Sequence, residues 1–184
     1  MHVIAAVVLA AGASTRFGSP KQAVLLEPVL AGVRKSPEVS DIFVVLGAHE
    51  VVTSARVVLC PEWERGPGAS LRCGLGALGD EVEAAVVVLG DGPDIDPRAI
   101  DRVVAAWRGG GAERVAATYQ GIRLHPLLLA RSAWDAVPDA GLRALPAHLV
   151  PCDDLRPPGD VDFADQVAEG GHRKEQNDYR HGAR

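Results

Sequence analysis

At 184 residues with 47% apolar content, the chain can bury a core as one domain and is too apolar for a disordered polypeptide. Its formal net charge of −5 excludes a general nucleic-acid binder, although local basic residues can still hold a small anion on an acidic protein. No apolar run approaches the roughly 18–20 residues that span a bilayer.

The opening Met1-His2 carries no basic leader region, and Val3–Ala10, continuous and β-branched, reads as a buried strand closed by Ala11-Gly12, not as a signal peptide. Val29–Arg34 belongs to a short helix that ends near Ser36-Pro37. Ile42–Leu46 and Arg56–Leu59 are apolar strands, closed by Gly47 and Pro61. Ala69–Leu78 has helical spacing, with Leu71, Leu75 and Leu78 on one face. Ala84–Leu89 is a further strand, closed by Gly90-Asp91-Gly92-Pro93. A helix then starts with Asp96 as cap and Pro97 in the first position, presents Ile100, Val103, Val104 and Trp107 as a stripe, and ends at Gly109-Gly110-Gly111. Val115–Tyr119 and Leu127–Leu129 read as strands, and Ser132–Val137 as a helix.

Strands alternating with helices predict an α/β sandwich of three layers with a mainly parallel central sheet. Neither a repeat nor a linker divides the chain, so residues 1–169 form one domain, and the polar stretch 170–184 is a frayed tail. Cys60, Cys73 and Cys152 are odd in number, scattered and without a CxxC pair. That pattern argues against a disulfide framework and for a reducing cytoplasm.

In such sheets ligands gather at the carboxyl ends of strands. Two of those ends are unusual here. The first is Leu9-Ala10-Ala11-Gly12-Ala13-Ser14-Thr15-Arg16-Phe17-Gly18-Ser19-Pro20-Lys21. Small residues let the backbone approach a ligand and offer it N–H groups, while the Arg16 fork and the Lys21 ammonium suit phosphate oxygens. Gly12 alone is as well explained by a simple turn. No GK[ST] follows, so this is not a Walker loop, and it does not fit GxGxxG.

The string resembles the LAAGxSxRxGxPK signature of the MobA-like nucleotidyltransferases, nearest to the molybdenum cofactor cytidylyltransferases. The likeness recurs in order: Val44–His49, Pro67-Gly68-Ala69-Ser70-Leu71-Arg72-Cys73-Gly74-Leu75 against GxSxSLRxGL, Gly90–Pro93 against GDQP, His125-Pro126, and Asp160-Val161-Asp162 against DIDTPED. The resemblance implies a nucleotide-diphospho-sugar transferase (GT-A-like) architecture. It also implies that the backbone of Leu9, Ala10, Ala11 and Gly12 holds base and ribose. Arg16 and Lys21 would bind the triphosphate, and Ser70 and Arg72 would face the nucleotide. Taken alone, Ser70 also fits a helix cap and Arg72 a surface charge.

A triphosphate needs its charge neutralised before a second phosphate can approach, and Mg²⁺ does this through one or two carboxylates plus phosphate oxygens. Asp91 follows a buried strand directly, so its carboxylate is expected at the sheet edge. It is the leading metal ligand and, with Arg16 and Lys21, the expected catalytic set. Asp160 and Asp162 lie on one side of an extended segment and are the candidate second ligand, Asp162 being favoured by the resemblance. Asp91 as a turn former and Asp160–Asp162 as a solvated turn are the plainer alternatives. No Ser-His-Asp or Cys-His arrangement stands out, and His49 and His125 lack zinc spacing and read as structural or supporting groups.

The expected reaction therefore carries NMP from NTP, with CTP favoured over GTP, to molybdopterin or the molybdenum cofactor, releasing pyrophosphate. The expected setting is the cytoplasm, with a molybdoenzyme maturation factor as partner and neither membrane nor nucleic acid. Two other readings stay open: a different phosphorylated acceptor (a sugar phosphate or phospholactate), or a nucleotide-binding module without catalysis. The pattern departs from the family at Gly92, at Asp160–Asp165, and in the short stretches Lys21–Val29, Glu50–Arg56 and Asp135–Ala144.

Overall fold

The computed structural model describes residues 2–13 and 22–159. Arg16, Lys21, Asp160, Asp162 and the 170–184 stretch lie outside the described residues.

Strand β1 (Val3–Leu9) is buried along its centre, as its unbroken apolar run requires. Helix α1 follows at Gln22–Val33 and is longer than Val29–Arg34 suggested. Pro28 sits inside it, which sequence reasoning treats as a breaker. Both Pro28 and Val24, whose carbonyl loses its i+4 donor, lie on the exposed side, so that carbonyl faces solvent. Strand β2 (Asp41–Leu46) and strand β3 (Arg56–Leu59) come next. Helix α2 occupies Pro67–Gly76, beginning two residues before the expected Ala69 because Pro67 takes its first turn. Strand β4 (Val82–Leu89) leads to helix α3 (Pro97–Gly110). The Asp96 side chain accepts from the Arg98 N–H at 2.9 Å, a cap that contributes about 1 kcal/mol, and Gly111 closes the helix at φ 61°.

Strands β5 (Arg114–Tyr119) and β6 (Ile122–Ala130) form a hairpin. Its two-residue loop, Gln120-Gly121, has φ of 52° and 78°, the positive values that let a tight turn follow strand twist. Strand β6 is much longer than the Leu127–Leu129 core read from the sequence. Ser132–Val137 is a 3-10 segment, Arg131–Ala136, not an α-helix. Strand β7 (His148–Pro151) has no counterpart in the sequence reading.

The sheet order is β3-β2-β1-β4-β6-β5-β7. All strands run the same way except β6, which is antiparallel to β4 and β5. Alternation along β1 sends Ile4, Ala6 and Val8 to one face, against Leu26, Leu30, Ile100 and Val103 of α1 and α3. Ala5 and Val7 go to the other, against Leu71 and Leu75 of α2 and Trp134. These are the three layers expected. The chain passes from β1 to β2 on one side and reaches β4 on the other, so the topological switch point falls between β1 and β4, where open α/β sheets bind ligands.

One expectation is overturned. Cys60 and Cys73 are joined by a disulfide. The end of β3 and the middle of α2 pack together, which brings their Cα atoms to 5.7 Å although 13 positions separate them in sequence. Spacing along a chain says little about spacing across a βα unit. The cysteine argument for a reducing compartment is thereby removed. Cys152 is free and buried.

Candidate nucleotide site

The last residues of β1 and β4, Leu9 and Leu89, are register partners, so the turns after both strands leave the sheet side by side. They are locked to each other and to β2. The Gly90 N–H donates to the Leu9 carbonyl at 2.9 Å, the Ala10 N–H to Val45 at 2.9 Å, and the Ala48 N–H to the Ala11 carbonyl at 3.0 Å. Contact is so close that a side chain at Gly90 would place its Cβ 2.9 Å from the Ala10 methyl. At Gly47 a Cβ would fall 2.5 Å from the Trp63 ring. Small residues at these positions are a steric requirement of the edge.

His49 Nε2 lies 2.9 Å from the Ala13 carbonyl oxygen and donates to it, tethering the start of the glycine loop. Leu9, Ala10, Ala11 and Gly12 thus sit together at the switch point, with Gly12 exposed. Ser70 is buried in α2, on the face turned to the sheet.

Arg72 is directed elsewhere. Its guanidinium donates to the Val137 carbonyl at 2.7 Å and pairs with Asp139. Arg65 pairs with the same carboxylate at 3.2 Å. Together the two arginines, Arg72 foremost, hold the Asp139 carboxyl below the usual carboxylate range. This cluster clamps the loop 138–141 onto the start of α2, an arrangement that the spacing of the SLR segment did not announce.

Asp91 is half-buried, one residue past the Gly90 contact. His125 feels its charge, but desolvation dominates and depresses the imidazole pKa to about 4, so His125 is neutral near neutrality. It lies in a bulge of β6, where the pairing jumps from Ala116 with Leu127 to Ala117 with Leu124, and its bond to Pro126 is cis. The segment 156–159 folds back over the Asp91–Asp94 turn. Asp94 N–H donates to the Pro158 carbonyl at 3.0 Å. A Cβ on Gly92 would meet the Gly159 oxygen at 3.1 Å. Glycine in place of the family's glutamine leaves room for that crossing. Among the described residues no group of three His, Cys, Asp or Glu side chains could hold a metal ion, and no helix is long and apolar enough to cross a membrane.

A cavity of 810 Å³ opens beside this edge. Leu9, Pro67 and Leu71 form its near wall, and β6 with residues 140–143 its far wall. The sequence reading did not foresee it, because the walls come from five separated segments, Val87 and Leu89 of β4 among them.

A tethered small-residue turn at the switch point of a mainly parallel three-layer sheet, with a carboxylate beside it, belongs to enzymes that handle nucleotides; the class is that of the nucleotidyltransferases. The MobA-like NTP transferase domain matches residues 6–150, and the chain belongs to that family. Among solved structures, the homologue of Mycobacterium tuberculosis Rv0371c from Mycobacterium sp. strain JC1 is 26% identical with a TM-score of 0.73, covering 90% of this chain and 93% of that one. Rv0371c of M. tuberculosis H37Rv in complex with manganese is 24% identical with a TM-score of 0.70, covering 90% and 96%. The 4-diphosphocytidyl-2C-methyl-D-erythritol synthase of Anaerococcus prevotii is 14% identical with a TM-score of 0.65, covering 91% and 93%. No curated protein matches the chain.

Proposed function

We propose that this nucleotidyltransferase is Mg²⁺-dependent and transfers NMP, CMP by preference, to the phosphate of molybdopterin or the molybdenum cofactor. The observation that carries the reading is the paired carboxyl edge of β1 and β4, from which the turns carrying Leu9–Gly12 and Asp91 leave side by side, with Leu9 and Leu89 lining the adjacent cavity. An acceptor phosphate oxygen attacks the α-phosphorus, the new P–O bond forms as the bond to the β-phosphate bridge breaks, and pyrophosphate leaves. No covalent enzyme intermediate is needed, so the protein contributes alignment and charge.

In this reading the Leu9–Gly12 backbone holds base and ribose, Arg16 and Lys21 hold the triphosphate, and Ser70 lies toward the nucleotide. Asp91 fits a metal ligand because it stands at the strand end without needing a third carboxylate. Gly159, the sequence neighbour of Asp160, packs against Gly92, which supports Asp162 or Asp160 as its partner. When bound, Mg²⁺ supplies neutralisation of the triphosphate charge. Arg72, engaged by Asp139, would reach the nucleotide only by exchanging that partner.

Preference for CTP rests on the sequence resemblance, since likeness to the cytidyl-transferring neighbour is at the level of fold. A cytoplasmic location rests on the substrates. A molybdoenzyme maturation factor is the partner expected of such a product. Release of pyrophosphate on incubation with each NTP, Mg²⁺ and molybdenum cofactor tests the reading directly. Turnover with CTP is expected. Turnover only with a sugar phosphate or phospholactate would change the acceptor, and no turnover with any pair would leave the catalysis-free module that the altered Asp160–Asp165 segment suggests.

A further inference from the structure

The fold holds the two ends of the Cys60–Cys73 disulfide with unequal firmness. Cys73 sits in the middle of α2, one residue before Gly74, whose Cβ position falls 2.5 Å from the Val7 side chain and 2.8 Å from that of Val45. That part of the helix lies directly on the sheet. Cys60 follows the edge strand β3, where Arg56, Val57 and Leu59 are exposed. It leads into residues 61–66, none of which is buried. A segment with so little buried surface opens at low cost. The disulfide ties this loose end to the firm one.

The loose segment backs the carboxyl edge of the sheet. The Cys60 N–H donates to the Leu46 carbonyl, the end of β2, at 2.8 Å. Three residues on, the Trp63 ring packs so tightly on Gly47 that a Cβ there would lie 2.5 Å from it. Ala48, next in the chain, donates its N–H to the Ala11 carbonyl at 3.0 Å. Contacts therefore run from the disulfide through Trp63 and the turn at 47–48 to the Leu9–Gly12 backbone. On the other side of the bond, Ser70 lies three residues before Cys73 in α2.

The same place also suits the reduced state. Cys60 is buried, and its sulfur lies 3.7 Å from the Ala69 carbonyl oxygen. A disulfide sulfur has no proton to donate but a thiol has, so on reduction Cys60 finds an acceptor already in place. Cys73 is only half-buried, which makes its sulfur the one open to attack. The Cα separation of 5.7 Å is ordinary for a bonded pair, so the bond can close again without moving the helix. In a reducing compartment, the location proposed above, disulfides serve mostly as redox sensors or catalysts and not as permanent staples.

We propose that Cys60–Cys73 is a reversible thiol–disulfide switch that sets NTP affinity, a reading that rests on the Leu9–Gly12 backbone holding the nucleotide. The reductant is a dithiol. One of its thiolates attacks the Cys73 sulfur to form a mixed disulfide, and Cys60 leaves as a thiolate and takes up a proton. The second thiol then attacks the reductant's own sulfur in that mixed disulfide, Cys73 leaves and is protonated, and the dithiol ends as a disulfide. Two electrons and two protons pass to the protein. In the oxidised form residues 60–66 are pinned and the edge is preorganised. In the reduced form they open part of the time, the turn at 47–48 loses its backing, and NTP binding must also order the edge.

Dithiothreitol is the probe reductant and excess oxidised glutathione the oxidant. CTP and GTP are titrated calorimetrically into the full chain in both states, well below its melting temperature, while hydrogen exchange is followed at Ala48, across residues 60–66 and along β4. Reduction should weaken NTP binding at least fivefold, and reoxidation should restore it. Exchange should quicken at Ala48 and residues 60–66 but not in β4. The double variant Cys60→Ser, Cys73→Ser should show the reduced affinity and ignore dithiothreitol, whereas Cys152→Ser should switch as wild type does. Reduced and reoxidised wild type carry the test even if the double variant fails to fold. Equal affinity in both states overturns the switch and leaves the nucleotide reading intact. Exchange that quickens in β4 as much as at Ala48 makes the bond a general staple and also overturns it. No binding of either NTP in either state overturns the nucleotide reading, and the switch with it.

Discussion

Gly68→Ala is expected to loosen the site through a single methyl group. Gly68 lies in the first turn of α2, and its N–H donates to the Asp139 carbonyl at 2.9 Å. A Cβ there would fall 1.7 Å from the Pro138 oxygen, 2.8 Å from its carbonyl carbon and 3.0 Å from the Gly141 nitrogen. All three are backbone atoms, so no rotamer change relieves the clash, and helix and loop must separate. Overpacking of this kind costs about 1–3 kcal/mol. Loss of the backbone hydrogen bond adds about 1 kcal/mol. The sum, about 2–4 kcal/mol, corresponds to a fall in Tm of roughly 5–15 °C for a chain of this size. Residues 138–141 also carry Asp139 and part of the cavity wall, so the Arg72–Asp139 clamp should loosen with stability. Gly76→Ala in the same helix is the control. It is exposed, nothing lies within 4 Å of its Cβ position, and alanine there should stabilise the helix by about 0.5–1 kcal/mol. Thermal melts of the two variants in one buffer decide the matter. If Gly68→Ala melts within about 2 °C of wild type, the close packing of α2 on the 138–141 loop is refuted.

Asp91→Asn should abolish pyrophosphate release while leaving the melting curve intact; activity within about tenfold of wild type, roughly 1.4 kcal/mol of barrier, would show that Asp91 is not the metal ligand. Lys21→Ala should weaken NTP binding, measured calorimetrically, more than it changes the melting temperature; unchanged NTP affinity would remove Lys21 from the triphosphate site. Reduction of the Cys60–Cys73 bond, whose ends are 13 positions apart, should cost about 3 kcal/mol, so dithiothreitol should lower the Tm by roughly 6–12 °C. Superimposable melts with and without reductant, together with three alkylatable thiols in the denatured chain, would show that the pair does not form. Initial rates should favour CTP over GTP, since a buried polar group left unpaired by the wrong base costs about 1–3 kcal/mol; a higher kcat/KM for GTP would point to a guanylyltransferase instead.

Much of the scaffold was legible in the chain because it depends on neighbours in sequence. Val3–Leu9 and Ala84–Leu89 are apolar without interruption, as strands covered on both faces must be. Asp96, Pro97 and Gly111 mark α3 by local capping chemistry. The small residues at Ala10–Gly12 suggested a backbone able to approach a ligand; the tight contact of Gly90 with the Ala10 methyl is visible only once β1 and β4 are paired. Tertiary structure decided the rest. Strand β6 contains Arg123, His125 and Pro126 and lacks a strand pattern over its first half; it is a strand because β4 and β5 supply its hydrogen bonds. The short β7 exposes most of its side chains and exists by pairing with β5. The Cys60–Cys73 bond, the hold of Asp139 on Arg72, and the walls of the cavity all join residues from different elements. Periodicity and capping act within a few residues of chain. Pairing, ion pairs and cavities depend on distance in space, which the order of residues constrains only after the sheet has closed around them.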